Sequence, residues 1–155
     1  MLIIDSVIAD FGERAVNQIK ENIYQKSVTS YGSMNASGET AESIGWRFDG
    51  RTLQVFGAGY IFILEDGRKP GKMPPLEEIK RWISVKPVSS DIPIDSLAYL
   101  IGRKISQEGS LLYRQGGNSG ILSSVANDDY INQWLTPNML KAFTEVVTET
   151  FKTAA

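Results

Sequence analysis

Most of this chain has the apolar spacing of helices, and only one pair of short segments alternates apolar and polar residues as strands do. The fold can therefore contain few strands. Apolar residues alternate with polar or small ones over residues 43–48 and again over residues 52–55, with Asp49-Gly50 between them. A period of two is typical of a half-buried β-strand. Asp-Gly at such a junction predicts a two-residue type I′ turn, in which both central residues need a positive φ. The sequence therefore predicts one antiparallel β-hairpin.

Most of the remaining chain has the three- to four-residue apolar spacing of amphipathic helices. This spacing predicts a first helix over about 4–27 and a second over about 75–86, where a proline occupies the first helical position. A third helix is predicted from Ile94, with Gly109 as the residue that ends it. The apolar run 60–64 fits either a strand or a single helical turn.

The last third of the chain mixes helical patterns with glycine-rich segments. A short helix is predicted around 128–134, and Thr136-Pro137 predicts the start of a separate C-terminal helix because proline suits the first helical position. Residues 27–40 and 110–120 are rich in Gly, Ser and Asn and show no period, so we predict two mobile loops there.

These elements predict a single α+β domain that spans residues 1–155. In this fold an antiparallel β-hairpin or small sheet packs against an N-terminal helix, two central helices and a C-terminal helix. A chain of 155 residues with 42% hydrophobic residues can form one such core. No stretch approaches the roughly eighteen apolar residues of a membrane span, and no leader is evident at the start. We therefore expect a soluble protein, made in a cytoplasm, without a membrane partner.

The residue types that are missing exclude many kinds of chemistry. The chain has no cysteine and no histidine, so thiol nucleophiles, Ser-His-Asp triads and the usual zinc and haem sites are excluded. Its net charge of −2 offers no general field for a polyphosphate, and no specific nucleic-acid binding is expected. No catalytic set, cofactor site or metal site stands out. The sequence thus favours a packing or assembly protein over an enzyme.

One enzymatic alternative can still be drawn from the charged residues. Asp66 followed by Glu78-Ile79-Lys80 fits an Asp…Glu-x-Lys pattern, in which carboxylates hold a divalent cation and the lysine positions water. In such nucleases the second element usually lies on a strand, whereas here it falls in the first turns of a proline-initiated helix. The basic residues of the following cluster, Arg68, Lys69 and Lys72, would then contact phosphates, although a plain solvated loop explains them equally well.

The order of motifs from Tyr60 to Gly109 is similar to that of a known family. In sequence it reads Tyr60-x3-Leu64-Glu65-x-Gly67, then Pro74-Pro75, then Ile79-x2-Trp82-Ile83-x2-Lys86, then Ala98-x2-Ile101-x3-Ile105-x3-Gly109. This order resembles the tailed-bacteriophage head–tail connector or tail-completion proteins, which are small neck proteins of the virion. The match covers about the middle third of the chain, and the element order covers most of it.

The resemblance implies a structural protein of the virion that forms a homo-oligomeric ring in the neck. The ring would contact portal or adaptor proteins on one side and tail proteins on the other, and the family has no enzymatic activity or cofactor. By family position, one group of residues would shape the turn after the strands: Tyr60, Leu64, Glu65 and Gly67. A second group would anchor the following helix on the sheet: Pro74, Pro75, Ile79 and Trp82. Arg68 and Lys69 are candidate interface residues.

Two other functions stay open at this point. The first is a metal-dependent nuclease or nucleic-acid-processing protein that uses Asp66, Glu78 and Lys80. The second is a host regulatory or adaptor domain without any place in a particle. The long segment after Gly109 departs from the family pattern, and it leaves the size of the ring and its neighbours undetermined.

Overall fold

The computed structural model describes residues 3–27 and 32–153, and this part of the chain is α+β, as predicted. A two-stranded antiparallel sheet lies among helices, with a long helix towards each end. In chain order the elements are α1 (Ile3–Gln25), α2 (Glu39–Glu42), β1 (Gly45–Phe48), β2 (Leu53–Phe56), α3 (Ile61–Asp66), α4 (Leu76–Val85), α5 (Ile94–Glu108), α6 (Leu111–Arg114) and α7 (Asp128–Thr153). The predicted hairpin and the predicted helices α1, α4 and α5 are confirmed, within two residues at each end.

The turn of the hairpin differs from the predicted one. Phe48 pairs with Leu53, so four residues connect the strands and the two-residue type I′ turn is wrong. The Asp49 carboxylate explains the longer loop, because its Oδ1 atom accepts hydrogen bonds from the backbone N–H of Arg51 at 2.9 Å and of Thr52 at 2.8 Å. These bonds also hold the pKa of Asp49 below its ordinary value. Asp49 thus favours the longer loop by bonding to its own backbone.

Helix α7 runs through Pro137 and does not begin there. The prediction of a separate helix after Thr136 is therefore wrong, because residues 128–153 form one helix with Pro137 inside it. The start signal is Asn127, whose Oδ1 atom accepts a hydrogen bond from the backbone N–H of Tyr130 at 2.8 Å. Proline removes one backbone hydrogen bond from a helix interior. Next to it, the side-chain amide of Asn138 donates to the carbonyl of Trp134 at 2.6 Å, which adds a bond within the weakened turn.

Helix α1 lies at the centre of the larger hydrophobic core. Its Gly12 lets the hairpin approach closely, since a Cβ atom there would lie 2.8 Å from the Trp46 ring and 2.9 Å from Leu53. Towards α7, the ring of Phe11 stacks on that of Trp134 with centroids 5.8 Å apart. The hairpin and α7 therefore contact neighbouring residues of α1, Gly12 and Phe11. Buried residues of this core are Ala15, Val16, Ile19, Ile23, Ala41, Ile44, Ile61, Leu64, Ile121 and Val125.

A second, smaller core joins α4 to α5. Ile79 and Ile83 of α4 are buried against Ala98 of α5, and Trp82 packs on the same cluster. Gly102 of α5 permits this close packing, because a Cβ atom there would lie 3.1 Å from Ile79 Cδ1. The α4–α5 pair thus has its own apolar contacts beside the core around α1.

The first segment predicted as a mobile loop ends in the first turn of a short helix, and the second contains a whole one. In the first segment, residues 28–31 lie outside the described residues, and α2 begins at Glu39. The described part is bonded to α1, since the N–H of Met34 donates to the carbonyl of Lys26 at 2.7 Å. The second segment contains α6, and Lys26 Nζ donates to the carbonyl of Ser119 at 3.2 Å. Mobility of the two segments stays a prediction.

Candidate interaction surface

The first motif of the family pattern folds as helix α3, which is the helical alternative for the run 60–64. Strand β2 ends before Gly57, and the chain turns at once into the helix, where the N–H of Ile61 bonds to the carbonyl of Ala58 at 3.0 Å. Ile61 and Leu64 lie one turn apart and are both buried in the larger core. The side chains of Tyr60 and Phe62 are more than half exposed. Helix α3 therefore contacts the core through Ile61 and Leu64 and leaves the ring of Phe62 in solvent.

Glu65 is a buried carboxylate, with 7% of the residue exposed, and its partners are backbone N–H groups. Its Oε2 atom accepts a hydrogen bond from the N–H of Leu122 at 2.8 Å, and its Oε1 atom accepts one from the N–H of Ser123 at 3.2 Å. The hydroxyl of Ser119 donates to Oε2 at 3.3 Å. Burial alone would raise the pKa of Glu65, but the hydrogen bonds from Ser119, Leu122 and Ser123 lower it below the ordinary value. Glu65 thus ties α3 to the segment that precedes α7.

Gly67 stands at a crossing of two chain segments and has a φ of 80°. A Cβ atom at this position would lie 2.9 Å from the Cα atom of Tyr113 and 2.8 Å from the Ser110 hydroxyl. The same hydroxyl accepts a hydrogen bond from the N–H of Arg68 at 2.9 Å, and the carbonyl of Arg68 accepts one from the N–H of Ser110 at 2.8 Å. Only glycine fits both the conformation and the space, so Gly67 sets where the chain leaves α3.

The basic residues of the next loop lie at the surface. Lys69 and Lys72 are exposed, and the guanidinium of Arg68 donates to the carbonyl of Lys72 at 3.1 Å. Within residues 3–27 and 32–153, no ion pair joins any of these three residues to a carboxylate. The loop is held to the end of α5, because the N–H of Gly71 donates to the carbonyl of Ser106 at 2.8 Å.

The second group of family positions holds α4 against α5. Pro74 is buried, and Pro75 precedes the helix in an extended conformation, one residue before the first helical position that the sequence predicted for it. Ile79 and Trp82 belong to the α4–α5 cluster, whereas the resemblance implied that they anchor this helix on the sheet. The hairpin instead packs on α1, whose Gly12 leaves room for it. These residues therefore position one helix on its neighbour.

The residues of the nuclease alternative carry other contacts. Lys80 Nζ lies 2.6 Å from Asp95 and 2.9 Å from Glu77, and these hydrogen bonds raise the pKa of Lys80. Glu78 pairs with Arg81 at 3.4 Å on the exposed side of α4. In the part of the chain that the structure describes, no three acidic side chains are grouped so that they could hold a metal ion. The arrangement is that of surface ion pairs along a helix.

The feature that sequence analysis missed is an exposed apolar stripe on α7. Leu140, Phe143, Val147 and Phe151 follow helical spacing, a pattern that usually indicates a buried side. In the structure, however, Leu140 is 67% exposed, Phe143 58% and Phe151 72%, Val147 is half-buried, and Ala142 is the one buried residue of this 26-residue helix. We call these four residues the α7 outer face. Periodicity showed the stripe but gave no sign of what covers it.

Exposed apolar residues also occur at the end of β2 and around the start of α3. These residues are Val55, Phe56, Tyr60 and Phe62. The ring of Phe56 lies over Gly45, its partner across the strands. Val55 pairs with Trp46, which lies against α1, so Val55 and Phe56 point to opposite faces of the hairpin and do not form one surface. Monomeric proteins expose few large apolar clusters, so the α7 outer face is the candidate for contact with other protein chains.

Comparison with known proteins gives no relative from which a function could be carried over. No family model matches the chain, and no curated protein or solved structure matches it. Among the described residues, no helix is long and apolar enough to cross a bilayer. The features that bear on function are therefore the α7 outer face and the motif order between Tyr60 and Gly109.

Proposed function

We propose that this protein is a structural subunit of a tailed-phage virion, and that it forms a ring in the neck between the portal and the tail. The observation that carries the proposal is helix α7, which has 26 residues but buries only Ala142 and leaves Leu140, Phe143 and Phe151 of its apolar stripe more than half exposed. A helix of this kind is expected where another chain covers it. The order of motifs from Tyr60 to Gly109 supports the same class of protein.

A ring is the assembly that the family resemblance implies. A two-fold dimer uses the same patch on both subunits, whereas a ring is built by two different patches that meet head to tail. The α7 outer face supplies one exposed apolar patch on the protomer. A head-to-tail contact closes into a ring when the rotation between neighbours divides a full turn.

The arrangement of Glu65 and Gly67 also fits a structural role for the family motif. Glu65 accepts backbone hydrogen bonds from Leu122 and Ser123, and Gly67 is in close contact with Tyr113. Both motif residues therefore fix the path of the chain around α3. Because this part of the chain also carries Tyr60 and Phe62, the motif fixes the position of two exposed aromatic residues.

The decisive experiment is quantitative mass spectrometry of purified phage particles from the source, with copies of this chain counted against the major capsid protein. A low and fixed copy number, equal to one closed ring, is the expected result. Absence of the chain from intact particles would refute the proposal. A nonsense mutation in the coding sequence gives a second readout, because filled heads and free tails should then accumulate without being joined.

A further inference from the structure

We propose that the C-terminal end of α5 and the loop before α4 form a basic surface that binds the phosphate backbone of duplex DNA without reading its sequence. The inference goes beyond the proposed function and does not depend on it, because it uses none of the residues of the α7 outer face. It rests on three observations: how charge is distributed along the chain, how the fold gathers five cations, and how few carboxylates pair with them.

The net charge of −2 is divided unevenly along the chain. Residues 66–114, which include α4, α5 and α6, contain nine Lys and Arg against six Asp and Glu. The remaining residues contain seven Lys and Arg against twelve Asp and Glu. The first part therefore carries a charge of +3 and the second a charge of −5. A local excess of positive charge attracts anions even when the whole molecule is close to neutral.

The fold places the basic loop 68–72 against the C-terminal end of α5. The N–H of Ser110 donates to the carbonyl of Arg68 at 2.8 Å, and the N–H of Gly71 donates to the carbonyl of Ser106 at 2.8 Å. These two bonds join the loop to the chain on both sides of Gly109, where α5 ends. The cations of the loop are therefore held beside those of α5 and α6.

Lys104 and Arg114 lie at the same end of α5, because both pair with one carboxylate. The Oε2 atom of Glu108 is 3.4 Å from Lys104 Nζ and 3.1 Å from Arg114 Nη1. Together with the loop, this end of the helix carries five cations. We call them the α5 basic end: Arg68, Lys69, Lys72, Lys104 and Arg114.

The α5 basic end has few acidic partners. In the part of the chain that the structure describes, Glu108 is the one carboxylate that forms an ion pair with any of the five residues. The guanidinium of Arg68 bonds to a backbone carbonyl, and Lys69 and Lys72 are exposed. Most of its positive charge is therefore open to an anion from outside the molecule.

The other acidic residues of this region do not change that balance. The two glutamates of α4 are paired inside their own helix, Glu77 with Lys80 and Glu78 with Arg81. Asp66 is left as an exposed carboxylate before the loop. Even with Asp66 counted beside Glu108, the five cations outnumber the carboxylates.

The composition of the α5 basic end favours duplex DNA over other anionic partners. Interfaces between proteins have aromatic residues at the centre and are depleted of Lys, whereas protein–DNA interfaces are polar and positively charged. Binding of single strands adds the stacking of bases on aromatic side chains, and the five residues include none. A duplex offers about one charge per 1.7 Å of its axis, which exposed cations can contact without any base.

The dependence on salt measures how many phosphates are contacted. The logarithm of the binding constant falls with the logarithm of the salt concentration, with a slope of about −0.9 for each phosphate. Contacts to all five cations give a slope of about −4.5, and contacts to three give about −2.7. Between 50 and 200 mM salt, the affinity should therefore fall by roughly 40-fold to 500-fold.

Fluorescence anisotropy of a labelled duplex of about 20 base pairs, titrated with the purified full chain over this salt range, tests the surface. The variant that combines Lys69→Gln with Lys72→Gln should bind at least tenfold more weakly at the lowest salt, with a slope shallower by about 1.8, because two phosphate contacts are lost. The matched control combines Lys141→Gln with Lys152→Gln on α7 and should stay within twofold of wild type. All four lysines are exposed, so both variants should fold.

Four results would overturn the inference. Wild type that does not bind the duplex at the lowest salt would refute it, and so would equal losses in the two double variants, since total charge would then hold the DNA. A poly-glutamate peptide that binds as tightly as the duplex would assign the surface to an acidic protein. A single strand that binds more tightly than the duplex would mean that bases are contacted. DNA binding by a chain that is absent from phage particles would support this inference and refute the proposed function.

Discussion

The substitution Glu65→Gln tests the most specific bond that the structure assigns to the family motif. Gln keeps the size of the side chain but replaces one carboxylate oxygen by an amide nitrogen, which donates and does not accept. Whichever way the amide is turned, the N–H of Leu122 or of Ser123 loses its acceptor, since each bonds to a different oxygen of Glu65. The hydrogen bond that remains is then accepted by a neutral amide oxygen and no longer by a carboxylate. The variant should therefore weaken the link between α3 and the segment before α7.

The expected loss of stability follows from the two bonds. A hydrogen bond to a charged group contributes about 1.5–3 kcal/mol, whereas a neutral one contributes about 0.5–1.5 kcal/mol, and a buried N–H without an acceptor costs about 1–3 kcal/mol. Partial relaxation at the site reduces the sum, and we expect the free energy of unfolding to fall by about 2–4 kcal/mol. The adjacent substitution Asp66→Asn is the matched control. Asp66 is exposed, so its change should stay within about 0.5 kcal/mol.

The pH dependence of this loss has a definite sign. The pKa of Glu65 is lower in the folded protein than in the unfolded chain, so the carboxylate stabilises the fold at every pH above the unfolded-state value. That contribution is complete at pH 7, starts to fall near the ordinary glutamate pKa of about 4.3, and is lost as the pH drops through the lower folded-state value. The difference between wild type and Glu65→Gln should therefore be largest at neutral pH and should shrink in acid.

Urea denaturation followed by tryptophan fluorescence measures these differences, because Trp46, Trp82 and Trp134 report on the larger core, the α4–α5 pair and α7. Unfolding curves of wild type, Glu65→Gln and Asp66→Asn would be recorded at pH 7 and again in acid. The reasoning is refuted if Glu65→Gln unfolds at the same urea concentration as the control at pH 7. A loss that has the same size at both pH values would also refute it, since the charge would then not matter.

Three further substitutions test other parts of the fold. Gly67→Ala should lower the free energy of unfolding by about 3 kcal/mol or more, because the new Cβ atom combines a positive φ with a clash against Tyr113. Gly50→Ala is the matched control. Gly50 has a similar φ but open space around it, so this change should cost only about 1 kcal/mol in the same urea assay. Pro137→Ala should raise the thermal midpoint, since it restores a helical N–H and removes a residue that costs up to about 3 kcal/mol inside a helix; an unchanged or lower midpoint would contradict this. Lys86 Nζ donates to the carbonyls of Ser33 and Asn35, and burial lowers the pKa of Lys86. Lys86→Met should therefore speed hydrogen exchange at the amides of Met34 and Asn35, with α7 amides unchanged as the internal reference.

The sequence predicted those elements whose signals are local. The periodicity of α1, the prolines before α4 and Gly109 at the end of α5 each act within one or two turns, and all three signals gave the observed elements. The predictions at Asp49 and Pro137 were wrong because a side-chain hydrogen bond at or next to each residue favours a different local structure. The Asp49 carboxylate turns towards its own backbone, and the amide of Asn138 bonds within the turn that Pro137 weakens.

The contacts of the motif residues could not be predicted, because their partners are distant in sequence. Glu65 bonds to residues more than fifty positions later, and Gly67 meets Tyr113 across the end of α5. A single sequence contains no signal for such pairs. The same holds for the α7 outer face, since an apolar stripe has the same spacing whether its own chain or another chain covers it. Candidate positions were therefore predictable, but their contacts were not.

The presence of two unequal cores has a consequence for how the protein opens. The larger core holds ten buried residues in the described chain and the α4–α5 cluster holds three. Regions with few buried apolar contacts open at lower free energy than the whole molecule, as separate cooperative units. The α4–α5 pair should then exchange its amide hydrogens through such sub-global openings while α1 stays protected. In a ring, this unit would be the part of each subunit that adjusts to a neighbour while the core around α1 keeps its shape.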